Sequence, residues 1–128
     1  MKTCLFGGTF DPPHLGHLII AQTIFEAQNF DQIVFIPAYQ PPHKNGHDIS
    51  SIDHRFKMLK IAIKENPNFV LSDIEIKRRG LSYSIDTIRD YKNQNNIKTD
   101  DLFYLIGSDA LKEFHKWKNP QSIIDEAK

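Results

Sequence analysis

Residues Gly7-Gly8-Thr9-Phe10-Asp11-Pro12-Pro13-His14-Leu15-Gly16-His17 have the types and spacing that hold phosphate. Paired glycines let a backbone turn sharply and approach a ligand where a Cβ would obstruct it. Pro12 and Pro13 stiffen the turn and lack N–H groups. A helix is therefore expected to open near His14, its unpaired N–H groups and positive dipole end facing the loop. His14 and His17, spaced i, i+3, fall on one side of that first turn and can both offer ring N–H donors to one anion. Strand, glycine turn and helix start in this order form an anion cradle, the arrangement by which nucleotide-binding α/β folds hold phosphate.

Positioning these groups requires a strand before the loop and a helix after it, and the flanking sequence supplies both. Thr3-Cys4-Leu5-Phe6 reads as a buried strand. From Leu15 to Gln28, the apolar residues Leu15, Leu18, Ile19, Ala21, Ile24 and Phe25 keep helical spacing, which predicts a helix packed on a sheet. Gln32 to Ile36 reads as a second buried strand ended by Pro37, completing a βαβ unit with parallel strands and a right-handed crossover.

Pro37 to Ser51 has almost nothing to bury and is expected to be an exposed loop. It follows the carboxyl end of a strand, where open α/β sheets bind ligands. Lys44 on that loop reads equally as a solvated charge or a ligand group. Ile52 to Glu65 returns to helical period, with Ser50 or Ser51 as N-cap. Arg55 beside its buried stripe reads as a snorkelling structural residue or a ligand contact.

Phe69 to Ser72 is expected as a third strand, extended in a more exposed form through Ile74 and Ile76 to the solvated charges Lys77-Arg78-Arg79. Ser82 to Thr87 opens a helix carrying Ile85, Ile88 and Tyr91, capped by Ser82 or Ser84. The free N–H groups at its start suit a carboxylate. Leu102 to Ile106, nearly devoid of polar residues, predicts a central strand covered on both faces. Asp109, at its carboxyl end, serves as an N-cap for the helix Ala110 to Phe114 or as a ligand group. Trp117 serves as core packing or as a flat ligand platform, and Asn119-Pro120 begins a last helix.

The 128 residues suffice for one domain and a single core. Lys plus Arg and Asp plus Glu both number 16, so the zero formal charge argues against a nucleic-acid-binding surface. Cys4 is the only cysteine, which leaves no internal disulfide and points to a reducing compartment. With no signal-peptide pattern and no apolar run of membrane-spanning length, the expected location is the cytoplasm.

Gly-Gly-Thr-Phe-Asp-Pro and His-x-Gly-His resemble the signature of nucleotidyltransferases that transfer a nucleotide from an NTP. Pro41-Pro42-His43-Lys44, Arg55-x-x-Met58-Leu59, Ser82-Tyr83-Ser84-x-Asp86-Thr87, Ile106-Gly107-x-Asp109 and Trp117 recur in this order in nicotinate-nucleotide adenylyltransferases, so the resemblance covers nearly the whole chain. It implies an α/β, Rossmann-like three-layer sandwich with a mainly parallel sheet. The implied reaction is condensation of nicotinate mononucleotide with ATP to give the deamido dinucleotide and pyrophosphate, a step of NAD biosynthesis.

Carried over by position, Gly7, Gly8, Thr9, Phe10, His14, His17 and Gly107 serve ATP, with His17 and His14 as the catalytic pair. Lys44, Asp109 and Thr87 serve the phosphate and ribose side of the mononucleotide. Trp117 takes the nicotinate ring, and backbone N–H groups near Ser84 take its carboxylate; Ser84 stands where threonine is common in the family. A Mg²⁺ ion held by phosphates and water, with no dedicated carboxylate cage, supplies further positive charge. A sister transferase with another phosphate-bearing acceptor and a non-catalytic nucleotide-binding module are the alternatives.

The resemblance also implies a C-terminal segment bearing a phosphate-gripping Arg, which this sequence lacks. The chain is therefore expected to be a truncated domain spanning 1–128, weakly active or inactive. An unpaired sheet edge or uncovered apolar surface is expected to favour self-association.

Overall fold

The computed structural model describes residues 1–42 and 49–128, with Asp109 described for its backbone alone. Strands β1 (Thr3–Gly8), β2 (Gln32–Pro37), β3 (Phe69–Leu71) and β4 (Leu102–Tyr104) form one parallel sheet in the order β3-β2-β1-β4. Helix α1 (Leu15–Ala27) joins β1 to β2, and α2 (Ile52–Ile63) precedes β3. Helices α3 (Ile74–Arg78) and α4 (Ser84–Asn95) lie between β3 and β4; α5 (Ser108–Lys112) and α6 (Pro120–Glu126) follow β4.

Side chains alternate along the central strands and divide the core in two. Ile33 and Phe35 point to the face that packs Ala21 of α1 and Leu59 and Ile63 of α2. Val34 and Ile36 point to the other face, against Ile74 of α3, Ile85 and Ile88 of α4 and Ile123 of α6. A strand covered on both faces must be apolar at consecutive positions, which is why Gln32 to Pro37 reads as an unbroken run. The result is the expected α/β three-layer sandwich. Among the described residues, no helix is long and apolar enough to cross a membrane.

Several expectations change in the structure. Leu15 and Ile19 are exposed, so the buried side of α1 is narrower than its apolar spacing suggests. Residues 74–78 form a helix, not a strand extension, with the Lys77 N–H donating to Asp73 O at 2.9 Å and the Arg79 N–H to Glu75 O at 3.0 Å; Ile74 and Glu75 are buried in its first turn. Its charges are not all solvated, because Arg78 bonds Asp90 Oδ2 at 3.0 Å and Thr87 Oγ1 at 2.9 Å.

The fourth strand lies outside β1 instead of in the centre. Its apolar run reflects coverage of its faces rather than its place in the sheet: Leu102 packs into one half of the core while Phe103 packs against the other. Nor is its outer edge bare. The Lys128 N–H donates to Leu102 O at 2.9 Å and the Tyr104 N–H donates to Lys128 O at 2.8 Å.

Candidate functional site

The site begins where β1 stops hydrogen-bonding as a strand. After Gly8, whose carbonyl accepts the Ala38 N–H at 2.8 Å, the chain turns at Phe10, which has φ 49° and 3% exposure. The Phe10 ring meets Phe6 edge-on at 5.4 Å and His17 at 5.0 Å. It therefore anchors the loop from inside, and only its backbone is offered to a ligand. The Asp11–Pro12 peptide is cis, and His14 precedes α1 in an extended conformation.

The two histidines are stacked, with ring centroids 3.7 Å apart. The His14 backbone N–H donates to His17 Nδ1 at 3.0 Å. That bond leaves Nδ1 as acceptor and makes Nε2–H the donor of the neutral ring. Burial, followed by the nearby His14, holds the His17 pKa below its ordinary value. His17 is therefore neutral near pH 7. Gly16 permits the stacking, because a Cβ there would sit 2.9 Å from the His14 imidazole.

A cleft of about 290 Å³ opens beside this loop at the carboxyl ends of the strands. Phe6, Gly7, Gly8 and Thr9 form one wall, Ala38, Pro41 and Pro42 a second, and Tyr104 through Gly107 a third. Glu75, Ser82, Ser84 and Trp117 complete it. Phe6 connects the cleft to the histidines, its ring centroid lying 6.1 Å from that of His17. Helix α4 starts after Tyr83, which makes no side-chain cap bond, so its first N–H groups are available where Ser84 meets the cleft.

Of the residues singled out from sequence, Gly7, Gly8, Thr9, Ser84, Gly107 and Trp117 line this one cleft, with His17 adjoining through Phe6. Thr87 does not reach it. Its side chain is 1% exposed and its hydroxyl donates to Glu75 Oε2 at 2.6 Å. Asp109 lies inside the first turn of α5, and Gly107 is the N-cap. Lys44 lies outside the described residues. Ser51 is the N-cap of α2, accepting the His54 N–H at 3.3 Å, and Ser82 caps nothing.

Two participants, Tyr104 and Glu75, were not legible in the sequence as site residues, and a third, Arg55, read there as a snorkelling structural residue or a ligand contact, is buried against backbone carbonyls. Tyr104 forms part of the cleft floor, its hydroxyl 2.9 Å from Ser84 Oγ. Gly7 makes room for that hydroxyl, since a Cβ there would lie 2.8 Å from it. Arg55, 1% exposed, donates to the carbonyls of Thr9, Ala38, Tyr39 and Ser50 at 2.6–3.4 Å. Glu75, 5% exposed, holds a carboxylate at the bottom of the cleft. The only hint in the sequence is a carboxylate between Ile74 and Ile76.

The cytidylyltransferase-like family model matches residues 5–128. A relative from Aquifex aeolicus (strain VF5), named probable nicotinate-nucleotide adenylyltransferase, is 41% identical over 97% of this chain and 72% of its own length. The nicotinate-nucleotide adenylyltransferase of Bacillus subtilis (strain 168) is 43% identical over 97% of this chain and 65% of its own length. The solved Plasmodium falciparum nicotinic acid mononucleotide adenylyltransferase complexed with NaAD shares the fold at TM-score 0.77 and 18% identity. That match covers 95% of this chain and 59% of the solved one.

Proposed function

Because the chain belongs to the cytidylyltransferase-like family, we propose that it transfers AMP from ATP to nicotinate mononucleotide, releasing pyrophosphate and deamido-NAD in the cytoplasm. The observation that carries this reading is a single cleft reaching from the glycine loop to the uncapped start of α4 and Trp117. The loop has donors for a triphosphate; the far end has an aromatic face and N–H groups for a carboxylate.

In the proposed reaction a 5′-phosphate oxygen of the mononucleotide attacks the α-phosphorus of ATP in line. A new P–O bond forms, the bond to the bridging oxygen breaks, and its electron pair leaves with pyrophosphate. No protein nucleophile is required. The chain's task is to align two anions and stabilise charge on the transferring group. His17 Nε2–H is assigned to the α-phosphate, and His14 and the backbone of Gly8 to Phe10 to flanking phosphate oxygens. Gly7 and Gly107 let the nucleotide approach the backbone.

Trp117 is assigned to the pyridine ring and the N–H groups at Ser84 to its carboxylate. Lys44 and Asp109 are assigned to the mononucleotide's phosphate and ribose. The buried Thr87 hydroxyl has a supporting role through Glu75. A divalent cation, Mg²⁺ in this reading, arrives on the ATP phosphates and adds positive charge there. Among the described residues no group of three or more His, Cys, Asp or Glu side chains is placed to hold it. The cleft's carboxylate, Glu75, accepts the Thr87 hydroxyl at 2.6 Å.

The test is pyrophosphate release from ATP with nicotinate mononucleotide, compared with nicotinamide mononucleotide, pantetheine phosphate, and glycerol phosphate with CTP. The acid mononucleotide is expected to be preferred, because an amide brings donors to a site already made of donors. Preference for either of the last two acceptors would move the protein to a sister activity, and ligand binding without pyrophosphate would make it a binding module.

Trp117 provides a sharper check. Its ring is partly buried, 5.4 Å from Phe114 and 6.5 Å from Tyr104, and it borders the cleft. Trp117→Ala is expected to weaken mononucleotide binding by roughly 1–3 kcal/mol, the scale of base–aromatic stacking. Calorimetry should find ATP affinity little changed; equal losses for both ligands would make Trp117 a packing residue only.

A further inference from the structure

We infer that Tyr104 is a positioning residue for the carboxylate end of the cleft: its hydroxyl, seated in the space left open at Gly7, holds Ser84 and the start of α4 in place against the sheet. Its bearing on the mononucleotide rests on the proposed function above, which puts the nicotinate carboxylate on the N–H groups at Ser84.

Tyr104 closes β4 opposite Leu5 of β1. The backbone there is tied on two sides, because the Tyr104 N–H donates to Lys128 O at 2.8 Å and the Leu105 N–H donates to Leu5 O at 2.9 Å. Residues two apart on a strand share a face, so the Tyr104 side chain follows Leu102 toward the half of the core that holds Ile85 and Ile88 of α4. A stiff ring on so fixed a backbone delivers its hydroxyl to one place. Burial pushes the phenol pKa further up, so that hydroxyl keeps its proton near neutral pH.

Three neighbours meet the ring there, each from a different part of the chain. Ser84, the first residue of α4, has its Oγ 2.9 Å from the hydroxyl, within one hydrogen bond. Trp117 meets the ring edge-on, with centroids 6.5 Å apart and planes at 88°. Gly7 of β1 is the third: a Cβ there would lie 2.8 Å from the hydroxyl oxygen, but 3.7 Å from Cζ and 3.9 Å from Ile36 O. The hydroxyl alone would be in its way. Helix α4 starts without a side-chain cap, so its own sequence does little to fix its first turn. The bond to Tyr104 anchors that turn to the sheet.

Tyr104→Phe keeps the ring and its contact with Trp117 and removes only the anchor. KM for nicotinate mononucleotide is expected to rise about tenfold, the scale of one hydrogen bond, with kcat and KM for ATP within about twofold. KM for nicotinamide mononucleotide should move less, so the preference for the acid falls. Ser84→Ala keeps the backbone N–H and should reproduce this pattern. The double variant should add little to either single one, because the two hydroxyls form one connection.

Stability reads the seat with no substrate present. Gly7 has no positive φ, so alanine suits its backbone and meets only the hydroxyl. Gly7→Ala is expected to lower Tm by about 5 °C or more, the scale of one methyl group forced into packed space. In the Tyr104→Phe background the same change should cost less than about 2 °C. An equal loss in both backgrounds would overturn the seat. Equal rises in KM for both substrates in Tyr104→Phe and Ser84→Ala would reduce Tyr104 to a packing residue. Rescue of Gly7→Ala in a protein that turns over no nicotinate mononucleotide would leave the seat standing and overturn the functional reading.

Discussion

His17→Ala is expected to lower kcat by at least ~100-fold, on the scale of removing one preorganised donor from a developing anion. The magnitude follows from how firmly the ring is held. His17 Nδ1 accepts the His14 N–H at 3.0 Å, the ring is stacked on His14, and Phe6 and Phe10 press on it edge-on. Little reorganisation is left for the moment of reaction, and the donor reaches full strength as charge builds on the α-phosphate.

Truncation to alanine also removes the acceptor of the His14 N–H, so a second variant separates the two effects. His17→Asn offers an oxygen to His14 N–H but no donor at the position of Nε2. It should show nearly the same loss of kcat with a smaller loss of stability. Activity retained in His17→Asn would remove the ring from the chemistry.

The pH dependence has a definite sign. Because burial and His14 lower the His17 pKa in the folded protein, the unfolded chain binds this proton more readily. The ring's contribution to stability is complete above about 6.5, the ordinary histidine value, and is lost as pH falls through the lowered pKa. An NMR titration should place the free protein's His17 below that value, with ATP moving it upward as phosphate oxygens favour the imidazolium. A free-protein titration at or above the ordinary value would contradict the neutral-donor assignment.

Arg55→Ala should be the most damaging single change to the fold, costing about 3–5 kcal/mol, the scale of breaking a buried charged arrangement by removing one partner. Four carbonyls lose their donor at once, from Thr9 of the glycine loop, Ala38 and Tyr39 after β2, and Ser50 before α2. Asp11, which attracts Arg55 and accepts the Ser50 N–H at 2.8 Å, also loses its nearby cation. Arg55→Lys should recover little, because one ammonium cannot reproduce a planar fork aimed at several oxygens. Urea unfolding provides the measurement, and a change below about 1 kcal/mol would show that water or neighbouring donors replace the guanidinium. This residue joins Thr9 of the glycine loop to Ala38 on the facing wall of the cleft, so under the proposed function folded Arg55 variants should bind both substrates poorly.

The glycine loop and the start of α1 were legible in the sequence because what shapes them is local. Gly7, Gly8, Pro12, Pro13, His14 and His17 act through backbone freedom, missing N–H groups and helical spacing, all of which operate within one or two turns of chain. The βαβ unit and the two-faced burial of β2 were legible for the same reason. The place of β4 in the sheet and the helix at 74–78 were not. An apolar run records that a strand is covered but not which strands flank it, and two isoleucines two residues apart fit a strand as well as the short helix that the Lys77–Asp73 and Arg79–Glu75 backbone bonds form.

Only the tertiary structure decided the polar interior of the site. Glu75 is a single charged residue that its neighbours in sequence do not distinguish from a solvated charge, and those of Arg55 leave a snorkelling residue and a ligand contact equally open. The carbonyls and amides of the chain leaving β2 find their partners in Arg55 of α2 and in Ser82, the residue before Tyr83, while Glu75 is buried where it accepts the Thr87 hydroxyl. Thr87 moved from the cleft to its support in the same way, through a 2.6 Å bond to a carboxylate 12 residues away. Local sequence shapes the glycine loop and the helix start that follows it. Which side chains hold the walls around it depends on pairing unsatisfied backbone groups between segments that meet only in the folded chain.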